Sequence, residues 1–106
     1  MVTTADFVDY VCEQVGDAGA LRYKKMFGEY LVYVDDEPIL LVCDNTVYVK
    51  MLPVLDDLMG SADRGSPYEG AKEHYILDIE NRGLAVKVIA ALLPVVKVPQ
   101  PRKKKG

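Results

Sequence analysis

The chain has 106 residues, half of them apolar, with 16 acidic and 13 basic side chains and a net charge of −3. That size suits one domain with a core of its own, and the apolar fraction excludes a disordered chain. No apolar stretch approaches the roughly 18 residues of a bilayer span, and residues 1–14 lack a basic leader followed by an apolar block. Neither an anchor nor a signal peptide is expected, and the expected location is the cytoplasm.

Thr4 is placed to cap a first helix. Phe7, Val8, Val11, Cys12 and Val15 recur at helical spacing, while Asp6, Asp9, Glu13 and Gln14 face elsewhere. Gly16 and Gly19 close it. Four runs rich in Val, Ile, Leu and Tyr follow, at 21–27, 30–34, 39–43 and 47–51, and these residue types favour strands. Asp-Asp-Glu-Pro at 35–38 and Asp-Asn-Thr at 44–46 read as turns. Turns this short join antiparallel neighbours, so the runs predict a meander. Gly28 suits a bulge or a tight bend between the first two runs. A bulge there would explain why apolar alternation fails from Met26 to Tyr30. Of Lys24 and Lys25, one then points to solvent and the other lays its stem over the sheet edge.

Pro53 is suited to the first turn of a short helix with Val54, Leu55, Leu58 and Met59 as its apolar face, and Gly60 stops it. Residues 60–73 hold three glycines and a proline and read as a loop. His74 to Ile79 alternates, with Tyr75, Leu77 and Ile79 on one face and His74, Ile76 and Asp78 on the other, which predicts a fifth strand. Asn81 caps the last helix, expected to run to about Leu93 and stop before Pro94. Its apolar residues sweep an arc of roughly 200°, about twice a normal core-facing stripe. One sheet face covers only part of such a surface, so a second copy of the chain is expected over the rest. Leu84, Val88, Ile89, Leu92 and Leu93 are the candidate dimer interface.

The order α-β-β-β-β-α-β-α predicts a two-layer α+β domain over residues 1–94, an antiparallel sheet with helices on one face. Residues 95–106 form a basic tail without an apolar face, expected to be disordered. Charge is split: residues 1–96 carry −8 and residues 97–106 carry +5. Arg102, Lys103, Lys104 and Lys105 are the candidate nucleic-acid contact, one that would release counterions from phosphates but work against an acidic body.

Sites for chemistry are sparse. Cys12 and Cys43 lie in apolar segments and read as buried thiols in a reducing compartment. The single histidine, His74, cannot complete a metal site with them. Asp35, Asp36 and Glu37 could hold a hard cation weakly, though a solvated hairpin tip is the simpler account. The loop at 60–70 lacks the Gly-Lys-Ser/Thr ending of a phosphate loop. His74 and Asp78 share a face but stand ~13 Å apart on an extended strand. No enzyme, cofactor or metal is expected.

Lys25-Met26-Phe27-Gly28, Tyr30 and Tyr33 before Asp35-Asp36, the Asp44-Asn45 turn with Tyr48-Val49-Lys50, and Pro67-Tyr68 before the Tyr75 strand carry a family resemblance. They resemble the N-terminal domain of the TfoX/Sxy competence regulators, over about residues 5–93. Glu29 stands where a second glycine often follows Met-Phe-Gly. The resemblance implies the same α+β domain, often a homodimer, with no catalytic residues. The C-terminal domain of full-length regulators has no counterpart in this sequence. The expected function is a non-enzymatic regulatory or protein-interaction domain, homodimeric and with a regulatory protein partner. The alternative is weak nucleic-acid binding through the tail.

Overall fold

A computed structural model of the protein describes residues 4–26 and 29–97. In chain order its elements are α1 (Ala5–Gln14), β1 (Leu21–Met26), β2 (Glu29–Val34), β3 (Glu37–Cys43), β4 (Thr46–Lys50), α2 (Asp56–Met59), β5 (Arg64–Gly65), β6 (His74–Leu77) and α3 (Arg82–Lys97). Short 3₁₀ turns occupy Gly16–Ala18 and Pro53–Leu55.

The ends of the helices follow local chemistry. Thr4 has extended backbone and its Oγ1 accepts the Phe7 N–H at 3.2 Å, while Asp6 in the first turn suits the positive end of the helix dipole. At the other end of α1, Arg82 donates from Nε to the Gln14 carbonyl at 3.2 Å and from Nη2 to the Glu13 carbonyl at 3.1 Å. Both carbonyls belong to the last turn, where the helix leaves acceptor capacity unused. Asn81 caps α3, its Oδ1 accepting from the Leu84 N–H at 3.2 Å.

The strands form one antiparallel six-stranded sheet in the order β1-β2-β3-β4-β6-β5. The β2–β3 and β3–β4 turns centre on Asp35-Asp36 and Asp44-Asn45, and all four residues have positive φ. That backbone matches the twist of the flanking strands, and Asp and Asn tolerate it better than most side chains. β5 adds a short edge strand inside the segment read as loop, pairing Arg64 with Tyr75 and Gly65 with His74.

The bulge expected at Gly28 lies outside the described residues. Within them, the register slips between Val32 and Tyr33, whose partners are Leu40 and Pro38, leaving Ile39 as the extra residue. Ile39 and Leu40 are consequently both buried, although adjacent in sequence.

The core lies between the helices and one sheet face. Val32, Val34, Val42, Val47, Val49, Tyr75 and Leu77 meet Val8, Val11 and Val15 of α1 and Ala85, Val88, Ile89 and Leu92 of α3 there. This corrects the interface expected on the last helix. Val88 and Ile89 are 0% exposed and Leu92 is 2% exposed within a single chain. Leu84 and Leu93 are half-buried against the same core. The wide apolar arc is covered because α3 touches β3 and also both 3₁₀ turns. Three elements wrap it where one sheet was expected. The helix also passes Pro94 and ends at Lys97. The carbonyl that Pro94 cannot serve belongs to Ala90, an exposed residue whose backbone water can reach. Residues 98–106, with the candidate contacts Arg102, Lys103, Lys104 and Lys105, lie outside the described residues. No described helix is long and apolar enough to cross a membrane.

Candidate interaction surface

Among the described residues, the helices pack their buried side chains into the core on one sheet face, and none is placed over the second face. The strand register brings one residue from each strand into a line across this face. Lys24 pairs with Leu31, Leu31 with Leu41, Leu41 with Tyr48 and Tyr48 with Ile76. The Ile76 N–H donates to the Asp63 carbonyl at 2.8 Å, so Asp63 stands at the far end of the row. Leu31, Leu41, Tyr48 and Ile76 are neither buried nor fully exposed, while Lys24 and Asp63 are exposed. The row therefore has an apolar middle, a cation at the β1 edge and an anion at the β5 edge. Gly65 lies beside the row, where an added Cβ would rest in ordinary contact with Ile76 Cδ1 at 3.4 Å and Tyr48 Cε2 at 3.6 Å.

Polar groups around the row are mostly engaged. Arg22 packs 4.2 Å above the Tyr33 ring and bonds Asp36 at 3.1 Å. His74 sits edge-on to Tyr48, with ring centroids 6.4 Å apart. Its Nδ1 donates to the Lys72 carbonyl at 2.8 Å. A cavity of about 240 Å³ opens beside the row, lined by Leu31, Pro38, Leu41, Tyr48, Lys50 and His74. Burial raises the Tyr48 hydroxyl above its ordinary value.

Cys43 closes one end of this face. Burial, then the negative charge of Glu29 and a hydrogen bond to it, push the thiol up to about 12 from an ordinary 9.0. Cys12 is also raised, by burial first and Asp9 second. Both cysteines are free and neither is poised as a nucleophile. The folded state holds the Cys43 proton more tightly than the unfolded state does. Its contribution to stability is thus complete below pH 9 and lost as pH rises towards 12. The melting temperature is expected to fall through that window, and less steeply in Cys43→Ala. Alkylation by iodoacetamide at neutral pH should be at least roughly tenfold slower than in the urea-unfolded chain.

The other candidates do not come together as a site. His74 and Asp78 share the open face, but Asp78 Oδ1 accepts from the Glu80 N–H at 3.2 Å. Of the acidic trio, Asp35 Oδ1 accepts from the Ala20 N–H at 2.9 Å and Asp36 is bound to Arg22. Both serve the hairpin tip. Among the described residues no group of three or more His, Cys, Asp or Glu could hold a metal ion.

No family model matches the chain. It is 34% identical over 110 residues to the "Uncharacterized 12.7 kDa protein in trpE 5'region" of Spirochaeta aurantia, an alignment spanning 99% of this chain and 93% of that protein. At that identity, over nearly the whole of both chains, this chain belongs to the family of the 12.7 kDa Spirochaeta aurantia protein.

Proposed function

We propose that the chain is a non-enzymatic regulatory domain that binds protein through the open face of its sheet. In this reading it works in the cytoplasm, in the manner of the TfoX/Sxy N-terminal domains it resembles. The apolar row Leu31, Leu41, Tyr48, Ile76, left uncovered between charged ends, carries the proposal. An apolar centre inside a polar rim is the usual anatomy of a protein interface. Two free cysteines suit a reducing compartment.

The test is site-specific photo-crosslinking in the native host. A photoreactive residue replaces Leu31 or Tyr48 on the open face, or Val54 or Tyr68 elsewhere. Protein adducts from the first pair and not the second are expected. Absence of adducts at the open face would overturn the reading, as would a nucleic-acid adduct in their place.

A further inference from the structure

We infer that the free edge of β1 takes up an extended, acidic segment of another protein as a further strand of the sheet. This surface is separate from the apolar row of the open face, and either reading can fail without the other. Among the described residues β1 pairs with β2 alone, and no main-chain bond is made from its outer side. The register fixes what that side presents. The Asp35 N–H donates to the Ala20 carbonyl at 2.8 Å, and Leu21 stands opposite Val34. The main chain of Ala20 therefore faces β2, as does that of Arg22 and Lys24 by alternation. The N–H and C=O groups of Leu21, Tyr23 and Lys25 point the other way. They form a row of donors and acceptors that an added strand would satisfy. The far edge of the sheet offers no such length, because β5 has two residues.

Charge selects the occupant. Lys24 and Lys25 are exposed, and neither makes an ion pair among the described residues. Being consecutive in a strand, they project to opposite faces, so each meets a different side of an added strand. Arg22 is already held, by Asp36 at 3.1 Å and by the Tyr33 ring at 4.2 Å. Acids of this chain flank the two lysines. Asp9 Oδ1 accepts from the Tyr23 hydroxyl at 3.4 Å, and Glu29 pairs with Met26. Acidic residues are therefore favoured opposite Lys24 and Lys25 and disfavoured opposite Tyr23 and Met26. Tyr23 is 42% exposed, its ring edge-on to Tyr30 at 5.5 Å, and offers apolar surface to an uncharged neighbour.

The segment that fits is thus a pair of consecutive acids between uncharged, strand-favouring residues. The same lysines turn away another basic edge, which is how exposed edges are kept from pairing indiscriminately. A second β1 would set cation against cation, whether Lys24 fell opposite Arg22 or opposite Lys24. A nucleic acid matches the charge but has no peptide groups for the edge.

The test is an NMR titration of the isotope-labelled full chain with the end-blocked hexapeptide TVEEVT, which reads the same in both directions. Binding is expected with a dissociation constant on the order of 100 μM, since a flexible peptide must be ordered as it binds. At roughly 1 mM peptide, hydrogen exchange of the Tyr23 and Lys25 amides should slow by about tenfold, while the Lys24 amide, already turned to β2, stays within about twofold. The charge-reversed TVKKVT should bind at least about tenfold more weakly. The variant K24E/K25E, changed at two exposed positions, should reverse that preference. TVEEVT methylated on its four central backbone nitrogens keeps its charge but cannot donate to the edge, and should not bind. The inference is overturned if TVEEVT does not bind, if TVKKVT or the methylated peptide binds as well, or if K24E/K25E keeps the wild-type preference. Binding that leaves the Tyr23 and Lys25 amides unprotected, with shifts centred on Leu31 and Tyr48, would move the contact to the open face. That outcome would overturn the edge and leave the proposed function standing.

Discussion

Ile89→Ala is expected to destabilise the protein by about 2–5 kcal/mol, the range for removing a large aliphatic side chain from a packed core. Ile89 is 0% exposed in a single chain and belongs to the cluster shared by α1, α3 and the sheet. Its neighbours include Val88 and Ala85, also 0% exposed, so little slack exists to close the cavity. Urea melts measure the loss directly. The midpoint should move by the same amount at low and high protein concentration, because the contact lies within one chain. A residue at a dimer interface behaves otherwise, since its loss acts through mass action and fades on dilution. Ile89→Asp should leave the chain unfolded, as a buried carboxylate without a partner costs more than the domain holds in reserve. A folded monomer from Ile89→Asp would return α3 to the role of an interface helix.

That contrast marks where sequence pattern stops and packing begins. The Thr4 cap, the two tight turns and the alternation of Tyr75, Leu77 and Ile79 depend on chain neighbours, and each was readable. The apolar arc of α3 was equally readable, but its meaning was not. Whether a second subunit or the chain itself covers it depends on the 3₁₀ turns Gly16–Ala18 and Pro53–Leu55 folding against it. β5 has two residues, too few for any alternation to show. Pro94 looks like a helix end because the rule concerns its lost hydrogen bond, and an exposed carbonyl at Ala90 escapes that rule. The open face had a signal of its own. β2 and β3 are apolar at nearly every position, as in Leu31, Val32, Leu40, Leu41 and Val42. In an antiparallel sheet, which can keep one side wetted, such a run means that both faces seek a cover. Aligning Leu31, Leu41, Tyr48 and Ile76 into one row required the register, which no single strand carries.

Gly19→Ala is expected to cost about 2–4 kcal/mol, from backbone strain and overpacking together. Gly19 adopts φ 154° and ψ −165°, a region open to glycine and costly to other residues. A Cβ there would stand 2.8 Å from Asp35 Oδ1 and 2.9 Å from Val34 Cγ1. Neither can step aside freely. Asp35 Oδ1 accepts the Ala20 N–H at 2.9 Å, and the Asp35 N–H donates to the Ala20 carbonyl at 2.8 Å. Val34 is 0% exposed in the core. The methyl would therefore push on the β2–β3 turn, whose aspartates already hold positive φ, and through Val34 on the packing under α1. Gly16 provides the control. It lies three residues earlier at the end of the same helix, and an added Cβ meets nothing within 4 Å. Gly16→Ala should be neutral or stabilise by a few tenths to about 1 kcal/mol, chiefly by stiffening the unfolded chain. Thermal melts of the two variants side by side decide the point. Equal losses at both positions would mean that the connection from α1 to β1 is set by helix termination alone, with no part for the Asp35 turn.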